Sequence, residues 1–322
     1  RSRDAHLNER FLHEELAAAN RLGIQIYQID DGWQKGASAN SANADGSFTE
    51  GLTGFHEKNP SFWEVNPERF PNGLEPLLPV LKAYNIELGL WFAPDSTDHL
   101  KHWEKDAAIL LGLHRKYRVN CFKLDGIKLT GKRGEANLLK LIRMVIQHAD
   151  SPIYFCLDVT ANVRLGYIYQ TQYGGIFLEN RYTDWAKYYP HLTLRNLWML
   201  SKHAPAQKLQ IEFLNVGRNA DKYPSSPYNP YEVGIGYAFG VTMFANPLAW
   251  MELTGLSEAH AHVLEQLIRG YRNVQHRIAQ GHILPIGSEP DRTQWTGFQS
   301  IAADGVSGYV QIIRERSSES AQ

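Results

Sequence analysis

Two short stretches concentrate groups able to do chemistry on a neutral molecule. In "FKLDG" (122–126) Lys123 and Asp125 stand two positions apart, a spacing that in an extended strand turns both side chains to one face. An ammonium beside a carboxylate favours its ionised form and lowers its pKa. An ionised carboxylate at a barrel mouth is what a glycosidase nucleophile requires, although the same spacing suits a structural ion pair. In "IYQIDDGWQ" (26–34) Asp30 and Asp31 are neighbours at the end of an apolar run. Such neighbours face opposite sides of a strand unless the chain bends, and Gly32 permits that bend. Together they are acceptors only, suited to the hydroxyls of a sugar ring, with Trp33 and Trp91 as flat apolar faces. The competing reading is a turn or helix cap ahead of a core tryptophan.

Further polar groups recur where strand-like runs end: Asp95, Asp158, Glu179, Arg181 and Asp184, with Cys156 inside "PIYFCLDVT". The runs themselves cover 24–29, 86–94, 119–127, 152–160, 174–182, 208–215 and 238–247. Helix-like segments precede or separate them at 6–22, 74–84, 99–116, 134–149, 187–203 and 257–279. Alternating strand and helix implies parallel pairing with right-handed crossovers. The expected fold is therefore α/β, a (β/α)8 TIM barrel whose active site collects at the carboxyl ends of the strands. Since a helix opens the chain, the first barrel strand is expected upstream of Arg1. An open doubly wound sheet fits less well, because no glycine-rich phosphate loop follows the first strand. Residues 34–73 read as a long functional loop, polar and flexible at "SANSANADGS". The pattern changes near 285, giving a barrel over 1–284 and the beginning of a C-terminal β domain over 285–322.

With 33 Lys and Arg against 34 Asp and Glu, the formal charge of -1 gives no electrostatic reason to expect nucleic acid or an anionic membrane as partner. No run approaches the ~18 apolar residues of a membrane span, so the chain reads as soluble, its compartment unspecified. Cys121 and Cys156 lack metal-ligand spacing and read as buried thiols. The 13 histidines form no metal motif at a strand end, and no metal or cofactor is expected. The expected partner is an oligosaccharide or glycoside substrate, with room for a homo-oligomer.

Five stretches in order, "DDGW" (30–33), "FWEVNPERFPNGL" (62–74), "GLWFAP" (89–94), "FKLDG" (122–126) and Cys156 at the next strand end, resemble the α-galactosidases of glycoside hydrolase family 36 and, more distantly, family 27. The resemblance runs from about residue 6 to 255, and "WTGFQS" with "GYVQIIRE" is similar to the start of that family's C-terminal β domain. It implies a retaining exo-α-glycosidase acting through a covalent glycosyl-aspartate. Asp125 would then be the nucleophile, Lys123 a hydroxyl ligand, and Asp30, Asp31 and Trp33 the clamp reading the 4- and 6-hydroxyls of a galactose-like ring. Where the family carries a Ser-Asp-Asp or Ser-Asp-Asn run, this chain has "FLENRYTDW". Asp184, three residues after Arg181, resembles the clan's arginine-then-aspartate arrangement and is the favoured acid/base, with Glu179 its competitor. The family's glycine-rich run after its cysteine is replaced by "CLDVTAN", so Asp158 and Asn162 either contact the 2-hydroxyl region, or Asp158 caps a helix. Glycosyl transfer in the manner of raffinose synthases and a non-catalytic sugar-binding barrel are the alternatives.

Overall fold

The computed structural model describes residues 4–38, 41, 52–127, 129, 131–159, 170–177 and 182–318. The chain divides into two compact units, Arg1–Ile176 and Phe177–Gln322.

The first unit opens with α1 (Glu9–Leu22), started by the Asn8 side chain accepting from the Phe11 amide at 2.9 Å and stopped by Gly23 in the left-handed region. Leu12, Leu16 and Ala19, spaced by helical turns, form its buried stripe. There follow β1 (Ile26–Ile29), the short α2 (Phe55–Lys58), α3 (Leu77–Tyr84), β2 (Glu87–Phe92), α4 (Trp103–Tyr117), β3 (Val119–Leu124), α5 (Lys132–His148) and β4 (Tyr154–Asp158). Pairing is parallel, and its register explains the division of labour across the sheet. Ile29, Leu90, Phe122 and Phe155 line up on one face, all buried. Trp91, Lys123 and Cys156 line up on the other. Because side chains alternate, each strand supplies the core with one set of residues and the site with the next. Helix α3 packs on β2 and α4 on β3.

Part of the long loop is anchored rather than free. Gln34 bridges to Val65, the Lys35 and Gly36 amides donate to the Glu64 and Phe62 carbonyls, and the Asn66 amide donates to the Trp33 carbonyl at 2.9 Å. The middle of "SANSANADGS" lies outside the described residues.

From β5 (Gly174–Phe177) onward come α6 (Pro190–Leu200), β6 (Leu209–Phe213), α7 (Pro230–Gly240), β7 (Asn246–Ala249), α8 (Glu258–Arg272), α9 (Gln275–Gln280), and the antiparallel trio β8 (His282–Gly287), β9 (Trp295–Ile301) and β10 (Gly308–Arg314). The trio begins close to the expected change of pattern. Strands β1 to β7 succeed one another in chain order in one seven-stranded sheet. That order is the barrel's, since a doubly wound sheet reverses direction at a switch point. The fold is an incomplete (β/α)8 barrel followed by a small antiparallel sheet.

Two elements differ from the sequence expectation. The run 238–247 is helix as far as Gly240 and strand only from Asn246. Its residues are apolar throughout, so neither period stands out, and burial of Ala238, Phe239 and Val241 carries the helix onward. Pro247 then sits in β7, last in the sheet order, where a missing amide donor is tolerated. The helix expected over 257–279 is two, α8 and α9, separated at Asn273 and Val274. Among the described residues no helix is long and apolar enough to cross a membrane.

Candidate active site

The first unit brings four charged residues from three strand ends around one ammonium. Lys123, the fifth residue of β3, is almost fully buried, with its Nζ 3.2 Å from Asp30 Oδ1, 3.3 Å from Asp158 Oδ2 and 3.7 Å from Asp125 Oδ2. Asp30 follows β1, Asp125 follows β3 and Asp158 closes β4. Asp158 is buried, whereas 39% of the Asp30 side chain and 26% of the Asp125 side chain meet solvent. The two open carboxylates are therefore the ones a ligand can reach.

Asp125 is oriented by its surroundings. Its Oδ2 accepts the indole N–H of Trp91 at 3.2 Å and its Oδ1 accepts the Gly126 amide at 2.6 Å. Gly126 adopts φ +65°, and a Cβ there would stand 2.7 Å from Leu52 Cδ1, so the turn that presents Asp125 requires glycine. A carboxylate receiving two N–H donors beside an ammonium is favoured in its ionised form.

Electrostatics separates the members of the cluster. Burial alone would pull the Lys123 ammonium down, but Asp30, Asp125 and Asp158 hold its pKa above the ordinary lysine range. Asp30 is pushed up to about 6 by desolvation, with Asp125 and Asp31 adding to the rise and Lys123 opposing it. Its remaining solvent contact makes that value an upper bound for such a site. Burial raises the Cys156 thiol well above its ordinary value, and Cys121 to about 12, so both are neutral. Cys156 lies in register beside Lys123.

The structure separates Asp30 and Asp31. Gly32 takes φ +127°, where a Cβ would meet Asp4 Cβ at 2.8 Å, and the chain turns there. Asp31 Oδ1 accepts from Gln34 Nε2 at 2.7 Å and its Oδ2 from the Ser38 hydroxyl. The expected two-carboxylate clamp is thus corrected: Asp30 joins the lysine cluster while both Asp31 oxygens brace their own loop.

The tryptophans are corrected as well. Trp33 is fully buried, its ring 5.8 Å from that of Trp63 and its indole N–H donating to the Trp91 carbonyl at 2.9 Å. Trp91 is 3% exposed and contributes a hydrogen-bond donor where an open stacking face was expected. Both belong to an aromatic wall centred on Trp63, which also packs against Phe55, Phe62 and Phe92. Apolar packing took these faces because burying an indole gains more than exposing one. Asp95, also at a strand end, is buried: its Oδ1 accepts from the Gly54 and Thr97 amides at 2.8 and 2.9 Å. It fixes the chain around α2 together with the His56–Asp106 contact of 2.8 Å.

In the second unit Asp184 lies in a single 3-10 turn, Thr183–Trp185. Its Oδ1 accepts from Asn219 Nδ2 at 2.6 Å and lies 3.3 Å from Arg218 Nε, and Arg218 reaches Glu252 at 2.7 Å. Sequence reading missed Arg218 and Asn219, since "NVGRNAD" carries no strand-end signature. Trp63 escaped it too, despite sitting in "FWEVNPERFPNGL". Glu179, Arg181 and Asn162 lie outside the described residues.

Protein-family models give no match to the chain. An α-galactosidase of Escherichia coli is 28% identical over 88 residues, 27% of this chain and 10% of that protein. Alpha-galactosidase 2 of Pediococcus pentosaceus is 31% identical over 77 residues, 24% of this chain and 8% of that protein. The GH36 α-galactosidase AgaA of Geobacillus stearothermophilus, solved as a variant in complex with raffinose, superposes with a TM-score of 0.70 at 15% identity over 96% of this chain and 45% of that one. The α-galactosidase of Lactobacillus brevis gives 0.66 at 15% identity over 92% and 43%. The chain thus spans less than half of these relatives, and it is similar in fold to the family 36 α-galactosidases.

Proposed function

We propose that the chain is the barrel portion, residues 1–284, of a retaining exo-α-glycosidase of α-galactosidase type, with 285–322 beginning a C-terminal β domain. The carrying observation is Asp125: a carboxylate at a strand end, partly open to solvent, held by Trp91 and the Gly126 amide, and within 3.7 Å of a buried ammonium. Asp125 attacks the anomeric carbon as the glycosidic bond breaks, giving a glycosyl-aspartate ester, and the leaving oxygen takes a proton from the acid/base carboxyl. The acid/base then removes a proton from water, which attacks the same carbon and releases Asp125 as a carboxylate. Asp184, which Arg218 and Asn219 orient, is the residue proposed for that role, and Glu179 is the alternative. Asp30 and Lys123 supply an acceptor and a donor for sugar hydroxyls. AgaA was solved with raffinose, an α-galactoside, which supports this substrate class for a chain of the same fold.

The test is Asp125→Ala, assayed with 4-nitrophenyl α-galactoside. Turnover is expected to vanish while circular dichroism stays that of the wild type. Wild-type-like hydrolysis overturns the assignment. Absence of release by the wild-type protein across a panel of aryl α-glycosides would favour a binding barrel. Transfer to added sugar acceptors, read by product analysis, would identify a transglycosylase.

A further inference from the structure

We propose that Asp158 is a positioning residue whose buried carboxylate anchors the Lys123 ammonium toward β4 and so keeps it from closing fully on Asp125. The argument begins with geometry. Three carboxylates share one ammonium, and their distances are unequal: 3.2 Å to Asp30, 3.3 Å to Asp158, and 3.7 Å to Asp125. Lys123 and Asp158 are the buried members, with 3% and 1% of their side chains exposed, and so make the fixed part of the cluster. Asp30 and Asp125 are its open part. Parallel register places Lys123 beside Cys156, and alternation brings the next inward position of β4, Asp158, to the same face.

The spacing matters for chemistry in which Asp125 becomes an ester. A carboxylate gripped by an ammonium is stabilised in the ground state, and that stabilisation is lost as its charge disappears in the transition state. Holding Nζ at 3.7 Å leaves Asp125 ionised without binding it tightly. Asp158 is the group that can restrain the ammonium, because it approaches from a different strand and is itself shut off from water. Among the described residues the titratable groups around Nζ are Asp30, with Asp31 adjacent, from the β1 end, Asp125 from β3, and Cys156 and Asp158 from β4, with Cys121 behind Cys156.

The inference rests on Asp125 being the nucleophile, so Asp125→Ala must first prove inactive. If it does not, the functional reading fails and the Asp158 comparison is not made. The experiment compares Asp158→Asn, Asp158→Ser and Asp158→Glu. The neutral variants should lose about tenfold or more in kcat with little rise in KM, as expected when an effect falls on the transition state alone. The acidic limb of their kcat/KM profile should also move to lower pH, because one negative charge has left the cluster. Asp158→Glu, which retains the charge, should recover most of kcat. A neutral variant that keeps the wild-type kcat and pH profile, whatever its melting temperature, overturns the proposal. So does failure of both neutral variants to fold while Asp158→Glu folds, because the residue would then be structural.

Discussion

The indole Nε1 of Trp91 donates to Asp125 Oδ2 across 3.2 Å, joining the end of β2 to the residue that follows β3. Trp91 is in turn tied to Trp33, whose own indole donates to the Trp91 carbonyl at 2.9 Å. A carboxylate open to solvent is thereby aimed by two buried aromatic rings, and the orientation of the reactive group becomes a property of the core.

Replacing Trp91 by Phe keeps a ring in the wall and removes the donor. A hydrogen bond to a charged group is worth ~1.5–3 kcal/mol, so kcat on an aryl α-galactoside should fall by roughly ten- to a hundredfold. The fold should persist in a thermal melt. An unchanged kcat would show that Asp125 is oriented by Gly126 and Lys123 alone.

Asp30 makes stability depend on pH with a defined sign. Its carboxyl is raised from 3.8 to about 6, so the folded state binds this proton more tightly than the unfolded chain does. The contribution is therefore fully present below about pH 4 and is lost as pH rises through about 6. With the side chain 39% exposed, solvent screening limits the effect to ~1 kcal/mol. Melting temperatures of Asp30→Asn and wild type, compared from pH 4 to 7, should show the variant gaining on the wild type as pH increases. Parallel curves would count against the raised pKa.

Gly126→Ala should destabilise. Its φ of +65° costs an L-residue ~1–2 kcal/mol, and the new methyl would press on Leu52 at 2.7 Å. Chemical denaturation should show a lower midpoint, and activity should fall further than stability explains, since the turn presents Asp125. Full stability would mean that Leu52 yields freely.

Leaving groups distinguish Asp184 from Glu179. An aryl leaving group needs little protonation, so Asp184→Asn should hydrolyse raffinose at least a hundredfold more slowly while a nitrophenyl galactoside still forms the glycosyl-enzyme. Glu179→Gln should affect both substrates alike. The reverse pattern would transfer the acid/base role to Glu179.

The sequence by itself determined the alternation of strands and helices, the barrel order that follows from it, and the strand ends that carry Asp30, Lys123, Asp125 and Asp158, because side-chain periodicity and turn residues are local properties. It determined less where a run was apolar throughout, as at 238–247, since burial on all sides erases the period. What only the tertiary structure decided is how neighbouring polar groups share their partners. Asp30 and Asp31 are adjacent in the chain, yet the turn at Gly32 sends one to Lys123 and the other to Gln34 and Ser38. Trp33 and Trp91 are amphipathic enough to stack on a ligand or to fill a core, and Trp63, set across the loop, claims them for the core. Asp158 stands at its strand end in any reading of the sequence, but only the parallel register of β3 and β4 brings its carboxylate against the same ammonium. Distances between strands are set by packing over the whole sheet, which no short stretch of sequence encodes.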